Sequence, residues 1–294
     1  MALPEVFTIG TNYRLHQVKE WEPDWDTPPM GFLVMWEPPM KGHTYTIGVD
    51  PSWGVGKDRA VIHVNRNGTL GSKDMQVAEF TSDTINVHEL TPICYMLGNL
   101  YKDPIEDLEA LMSVECNISD DVVHSLRNNY NYSNLFISKS YDNIKKVMSN
   151  KLGWWTTQRT RPKIISKAIH YIKQGWWDIN SPWMINELQT IEKLEDKARI
   201  EAAAGHHDDI AFAGFIALWT AHDMEFNDFG QVEEIAKRRD RRITTMVDAY
   251  NETLPPIEKR TDFINSACSF QDMLDYDFNR KDWDDNREVE PGKR

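Results

Sequence analysis

The sequence predicts a mixed α/β fold: a five-stranded sheet, made of a three-strand antiparallel meander and then alternating helices and strands, flanked by helices. Three observations lead there. Apolar residues alternate at period two in three short runs between residues 44 and 80, joined by turn signals. Beyond residue 86 the period lengthens to that of helices, interrupted by two short apolar strand patterns. The last apolar run, IAFAGFIALW, is apolar all round, the pattern of a buried helix.

Residues 1–40 alternate Trp, Pro and acids, with prolines at 23, 28, 29, 38 and 39. Proline interrupts any long element, so this stretch reads as an extended arm or linker draped over the domain. The first strand is TYTIGVD, with Tyr45, Ile47 and Val49 on one face and Thr46, Gly48 and Asp50 on the other. A second strand covers about Arg59 to Asn65, Asn67-Gly68 marks a tight hairpin turn, and a third strand covers about Met75 to Phe80. Leu90, Ile93, Leu97 and Leu100 recur at helical spacing within Asn86 to Tyr101. LMSVECN is a short buried strand. Ser119 caps a helix reaching about Tyr130, with Asp120 and Asp121 in its favourable first turn. NLFIS, residues 134–138, is the fifth strand.

Pro162 to Gln174 is a helix with Ile165, Ile169 and Ile172 on one face, ended by Gly175. Ser181-Pro182 opens another, carrying Met184, Leu188, Ile191 and Leu194. A short strand is read near Lys197 to Ala202, and the buried helix opens from GHHDD at 205–209. The core domain is therefore placed at 41–224, followed by a charged helix and mobile tail over 225–294.

The chain has 294 residues, 40% hydrophobic and 27% charged, with 11 Trp, which is enough for a packed core. It has no apolar run of about 18 residues and no basic-then-apolar leader, so neither a membrane span nor a secretory signal is read. Cys94, Cys116 and Cys268 are far apart and odd in number, which excludes a zinc spacing or a disulfide framework and fits a reducing cytoplasm. A net charge of −13 argues against a nucleic-acid partner taken alone. The distribution argues the other way. From Lys139 to Lys173 there are nine Lys or Arg against one acid, Asp142, a localised anion-binding surface or else a solvated face.

Three acidic features stand at the ends of buried elements: Asp50 on the first strand, Glu115 on the fourth, and Asp208 and Asp209 at the start of the last helix. A carboxylate within an apolar element is costly unless it is paired or bound to metal. These acids can meet only if the first and fourth strands lie side by side. Oxygen ligands of this kind suit Mg²⁺ or Mn²⁺ rather than zinc, and two such ions about 4 Å apart support phosphodiester cleavage. Each acid also has a structural reading: Asp50 as a turn residue before Pro51, Glu115 as a cap or lysine partner, Asp208 and Asp209 as ordinary helix-start acids.

Two other motifs are weaker. GVDPSWGVGKD resembles a phosphate-binding loop but has Pro51 where the first glycine belongs and Asp58 where a hydroxyl belongs, so an ATPase site is rejected. His206 and His207 have no further His or Cys at a zinc spacing. Orienting a carboxylate or contacting a phosphate is the auxiliary role open to them; plain exposure at a helix start is the other.

GVDPSWGVGKDRAVIHV, SVECN, GWWTTQRTRPKII, INELQTI and GHHDDIAFAGFIALW, in that order, resemble the nuclease domain of the large terminase subunit of tailed bacteriophages. The resemblance covers roughly residues 40–222. It implies a ribonuclease H-like fold, shared with RuvC resolvases and integrases, and a two-metal endonuclease that cuts concatemeric viral DNA during packaging. Asp50 is similar to the first-strand catalytic Asp and Glu115 to the fourth-strand acid. Asp208-Asp209 matches the Asp-Asp at the last helix, with the metal-binding member left open. Asp58 takes the place of an accessory acid; pairing with Arg59 or Lys57 is its alternative.

In this reading Arg159, Arg161, Lys163 and Lys167 contact phosphates flanking the cut, a sequence-independent and salt-sensitive attraction. Trp154 and Trp155 pack beneath that loop. The partners implied are double-stranded DNA and, in packaging, a portal protein, a small terminase subunit or a separate ATPase subunit, in the host cytoplasm and without a membrane. Large terminases usually carry an ATPase motor ahead of the nuclease, and none is read here. A junction resolvase or transposase-type nuclease and a non-catalytic packaging module are the competing readings; the intact acids speak against the second.

Overall fold

The structure is a computed structural model and describes residues 3–222 apart from 23, 57, 70, 103–107, 143–146, 195–198 and 204. Lys145 and Lys146 of the basic run, Lys57, and the helix and tail expected over 225–294 lie outside the described residues. The chain begins with strands β1 (Glu5–Ile9), β2 (Leu15–Gln17) and β3 (Phe32–Met35), then the meander β4 (Tyr45–Asp50), β5 (Ala60–Arg66) and β6 (Asp74–Ser82). Helix α1 (Val87–Leu100), strand β7 (Leu111–Val114) and helix α2 (Asp121–Asn128) follow, then the hairpin β8 (Ile137–Asp142) and β9 (Val147–Leu152). Helix α3 (Thr160–Gln174), strand β10 (Trp177–Asp178), helix α4 (Pro182–Thr190), the hairpin β11 (Ile191–Leu194) and β12 (Arg199–Ala202), and helix α5 (Asp209–Ala221) complete it.

Among the described residues the main sheet runs β2-β1-β3-β6-β5-β4-β7, with β10 beside β6. The meander is antiparallel and β7 joins β4 in parallel. Leu135 bridges Met112 in parallel and the Phe136 amide donates to the Met112 carbonyl at 2.8 Å, so residues 134–136 take the fifth position beyond β7. This is the mixed order expected, a three-strand antiparallel meander followed by parallel strands, with more strands around it.

The arm expected over 1–40 is corrected. Its residues extend the sheet: β3 pairs with β6, β1 with β3, and Val6, Phe7, Leu33, Val34 and Met35 are buried. The prolines do interrupt the chain, but those at 28, 29, 38 and 39 fall between strands, and strands of three to five residues fit around them. Asn67-Gly68 is not a two-residue hairpin turn. Asp74 accepts from the Gly68 amide, Asn67 is tied to Thr44, and the chain reverses at Thr69–Ser72, giving a longer connection.

The helices hold to sequence logic with local shifts. Asn86 caps α1 in a reciprocal box with Glu89, and Gly175 closes α3 in the left-handed conformation, φ 66°. Ser119 lies one residue outside α2: its hydroxyl accepts from the Asp121 amide, and Asp120 holds the cap position. On α3 the buried residues are Ile164, Ile165, Lys167, Ala168 and Tyr171, while Ile169 turns outward. Ile191 and Leu194 belong to the β11 strand rather than to α4. Among the described residues no helix is long and apolar enough to cross a membrane.

Helix α5 is buried on nearly every side, and each of Ile210, Phe212, Phe215, Ile216 and Leu218 contributes about 1.5–3 kcal/mol by leaving water. Its closeness to the sheet rests on one residue. A Cβ at Gly48 would lie 2.0 Å from the Ala213 carbonyl oxygen and 2.7 Å from the Ala217 nitrogen. Glycine at the fourth residue of β4 therefore lets the helix backbone rest directly on the strand. On the opposite face Tyr45 meets Tyr101 at the end of α1, with ring centroids 4.9 Å apart.

A candidate carboxylate metal centre

Strand register places the first two acids together. Val49 lies opposite Val114 in the parallel pair β4–β7, and the Glu115 amide donates to the Val49 carbonyl at 2.8 Å. Asp50 and Glu115 are thus the next pair along, on strands about 4.8 Å apart. By period two both point to the face on which Gly48 admits α5. That helix begins with Asp208 at its cap and Asp209 in its first turn. The sheet and the helix bring together acids separated by up to 159 positions.

Electrostatics record the convergence. Burial pushes the Asp50 carboxyl well above the usual range; Glu115 beside it and Asp209 push further, as do the hydrogen bond shared with Glu115 and the charge of Asp208. Asp209 is raised by burial too, against the Arg59 amide, which donates to Asp209 Oδ2 at 3.2 Å. His207 Nδ1 lies 3.4 Å from the same oxygen. Asp208 is paired with Arg161, whose guanidinium lies 4.6 Å over the Phe212 ring. Among the described residues no three His, Cys, Asp or Glu side chains form a ready-made metal cage. Arg161 is paired with Asp208, while the Arg59 amide and His207 are partners of Asp209.

The donor set nevertheless suits a hard divalent cation. It offers only carboxylate oxygens, two of them on buried residues sharing a hydrogen bond in place of a counter-charge. No cysteine takes part: Cys116 is buried, with its thiol pushed up to about 12 by burial first and then by Asp120 and Glu115. Asp58 stays exposed at the end of the loop after Asp50, and His206 is exposed as well.

The GWW and ECN motifs form a staple around Glu115. Gly153, at φ 75°, presses so closely on β7 that a Cβ would lie 2.4 Å from Cys116 Sγ and 2.6 Å from the Val114 carbonyl oxygen. Trp154 exchanges backbone hydrogen bonds with Val114 and Cys116 and packs between Phe136 and Trp219. Asn117 makes a two-way clamp with the Thr156 backbone, at 2.6 and 2.8 Å.

The basic residues separate by position. Arg159 and Lys163 are exposed on the first turns of α3. Lys167 is not on that surface, which corrects the phosphate contact expected for it. It is buried, with Nζ 5.0 Å over the Trp219 ring and 5.8 Å over Tyr171. Ile164 and Tyr171, three residues before it and four after, put Lys167 at the edge of the buried face of α3.

Two residues near the acids were not singled out from sequence. Glu187 is buried on α4, with Oε1 3.2 Å from Arg59 Nη1 and Oε2 accepting from the Ala211 amide at 2.9 Å. Burial pushes its carboxyl up to about 8; the Ala211 amide opposes this, Asp209 adds to it, and Arg59 opposes it again. Arg59 thereby joins Glu187 to Asp209, side chain on one and amide on the other. The signal was present in INELQTI, where Glu187 falls three residues after the buried Met184 and hence on the inward face.

No protein-family model and no curated protein matches the chain. Among solved structures, the large terminase nuclease from thermophilic phage G20c is 14% identical with a TM-score of 0.45, over 65% of this chain and 87% of that one. The same nuclease with bound magnesium is 14% identical at 0.46, over 63% and 85%. The human cytomegalovirus terminase nuclease domain, manganese-soaked and inhibitor-bound, is 11% identical at 0.40, over 62% and 85%. What this chain is similar to in these comparisons is the nuclease domain of terminases.

Proposed function

We propose that this chain is a two-metal-ion DNA endonuclease of viral DNA packaging, cutting concatemeric double-stranded DNA by phosphodiester hydrolysis with little sequence specificity. The observation that carries this reading is the strand register that sets Asp50 beside Glu115, facing the start of α5 with Asp208 and Asp209. Asp50 and Glu115, with one or both of the helix-start acids, would hold Mg²⁺ or Mn²⁺. Such a pair of ions, when bound, supplies an activated water and neutralises the leaving oxygen.

The protein's own groups do the remaining work. Exposed Arg159 and Lys163 hold phosphates flanking the cut and offset the repulsion between the acids and the DNA backbone. Arg161, tethered to Asp208, keeps a positive charge at the rim of the cluster. Glu187 holds the Arg59 side chain, and the Arg59 amide fixes one oxygen of Asp209.

The test is plasmid cleavage in Mn²⁺, Mg²⁺ and EDTA by the natural chain and by Asp50→Ala. Metal-dependent nicking and linearisation, lost in the variant, is the expected result. Equal cleavage by both proteins, or none by the natural chain in either metal, would overturn it.

A further inference from the structure

Residues 51–56 leave the acidic cluster at Asp50 as a loop packed against residues 83–85. Asp50, at its start, belongs to the cluster, and beyond its far end the Arg59 amide is bonded to Asp209. The Gly56 amide donates to the Asp83 carbonyl at 3.0 Å. Gly54, at φ 68°, lies so close to the 84–85 backbone that a Cβ would come within 2.6 Å of the Thr84 oxygen and 2.7 Å of Ile85. Pro51 and Ser52 are buried. Between these fixed points Trp53 is 55% exposed and Val55 71% exposed. A loose loop could fold its tryptophan away from water. This one is pinned with the ring outward.

The surroundings indicate what meets that ring. Trp53 is three residues from Asp50, so their Cα atoms lie within about 11 Å, roughly three base-pair rises of B-DNA. Arg161 holds Asp208, and Arg159 and Lys163, two residues before and after it in the chain, are exposed. Cations that suit phosphates and an exposed aromatic ring are therefore both carried by segments that meet at the acids.

We propose that Trp53, backed by Val55, is a base-stacking contact for the DNA substrate, gripping it within a few base pairs of the phosphodiester at the acidic cluster. The proposal rests on the nuclease reading. Every base presents a π-face, so such a contact holds DNA without reading its sequence. Inserting a ring at a base step also loosens the duplex locally.

The test uses the full chain and a 30-base-pair duplex with 2-aminopurine at successive positions, titrated in EDTA at several salt concentrations. Trp53→Ala is expected to bind roughly 10- to 100-fold more weakly and to lose the fluorescence rise, with Trp53→Phe restoring both. The salt slope should be unchanged in Trp53→Ala and smaller by about one in Lys163→Ala. Unchanged affinity and fluorescence in Trp53→Ala would overturn the proposal. So would a shift in self-association by sedimentation with the DNA response intact, which would make a second copy of the chain the occupant. Thermal melts of the variants matching the natural chain show that the loop change is local; a collapse of the melt in both would equally overturn it, since an exposed ring should not hold the fold. Plasmid cleavage separates the two readings. Cutting that persists while the Trp53 effects are absent removes this proposal alone. Trp53-dependent binding without cutting by the natural chain removes the nuclease reading and leaves the contact standing.

Discussion

Glu79 shows how a single buried side chain sets a measurable property of the fold. It lies on β6 under α4, accepting from Gln76 Nε2 at 2.9 Å and from Thr81 Oγ1 at 3.4 Å, while Gln76 Oε1 takes the Asn180 and Ser181 amides that begin the helix. Burial pushes its carboxyl from 4.5 to about 7 despite those bonds. The folded protein therefore binds this proton more tightly than the unfolded chain, so the stabilisation is fully present below pH 4.5 and is lost as pH rises through about 7. Glu187, raised to about 8, has the same sign over a slightly wider window. Urea unfolding followed from pH 4.5 to 8 is expected to show the natural chain weakening, with Glu79→Gln abolishing part of that loss, on the order of a few kcal/mol. Parallel profiles for the two proteins would show that Glu79 does not bury a proton.

The contact between β4 and α5 is where fold and candidate chemistry are most tightly joined. Gly48 and Gly153 each admit a neighbouring backbone that a Cβ would push away, one beneath the helix that carries Asp208 and Asp209, the other against the strand that ends in Glu115. Gly48→Ala sets a methyl carbon 2.0 Å from a backbone oxygen, which no rotamer change can relieve. The expected cost is about 3 kcal/mol or more, read by thermal melting, together with a weakened stabilisation by metal. A variant as stable as the natural chain would mean that α5 does not need this approach. The helix itself was legible from its uniform apolarity, and so were the two acids, because an apolar run ending on an acid is a local signal; that their strands lie side by side was only the condition for the acids to meet, and the register supplies it. The pairing of β1 and β3 was not legible. Five- and four-residue strands leave too short an alternation to detect, and β3 finds its partner β6 some 45 positions on. The inward turn of Lys167 was hidden for a related reason: it depends on which face of a helix meets α5, and a charged residue gives no apolar cue to that face.

Taken whole, the protein is an acidic chain, net −13, whose candidate site gathers further acids while the first turns of α3 expose basic side chains. Metal and DNA should therefore act on it as linked ligands: a divalent cation neutralises the carboxylate cluster and lowers the repulsion toward phosphates. By mass action Mg²⁺ or Mn²⁺ at about 100 times its dissociation constant stabilises the folded state by about 2.7 kcal/mol, raising the melting temperature by roughly 5–10 °C. Calorimetry in millimolar metal against EDTA checks this, and Asp50→Ala should remove most of the shift. An unmoved transition in the natural chain would count against the centre.

The N-terminal strands have one more effect. With β3 paired along it, the nine-residue β6 is an interior strand, and the open edge on that side passes to β2, which is only three residues long. Aggregation begins at long, flat, unpaired edges, and a short terminal strand is a poor template for it. A fragment cut at residue 41 would retain every acid of the candidate centre and yet uncover Ala78 and Phe80 along a bare ladder of backbone donors and acceptors. The Trp- and Pro-rich beginning of the chain thus closes a long strand edge that would otherwise stand open to another chain.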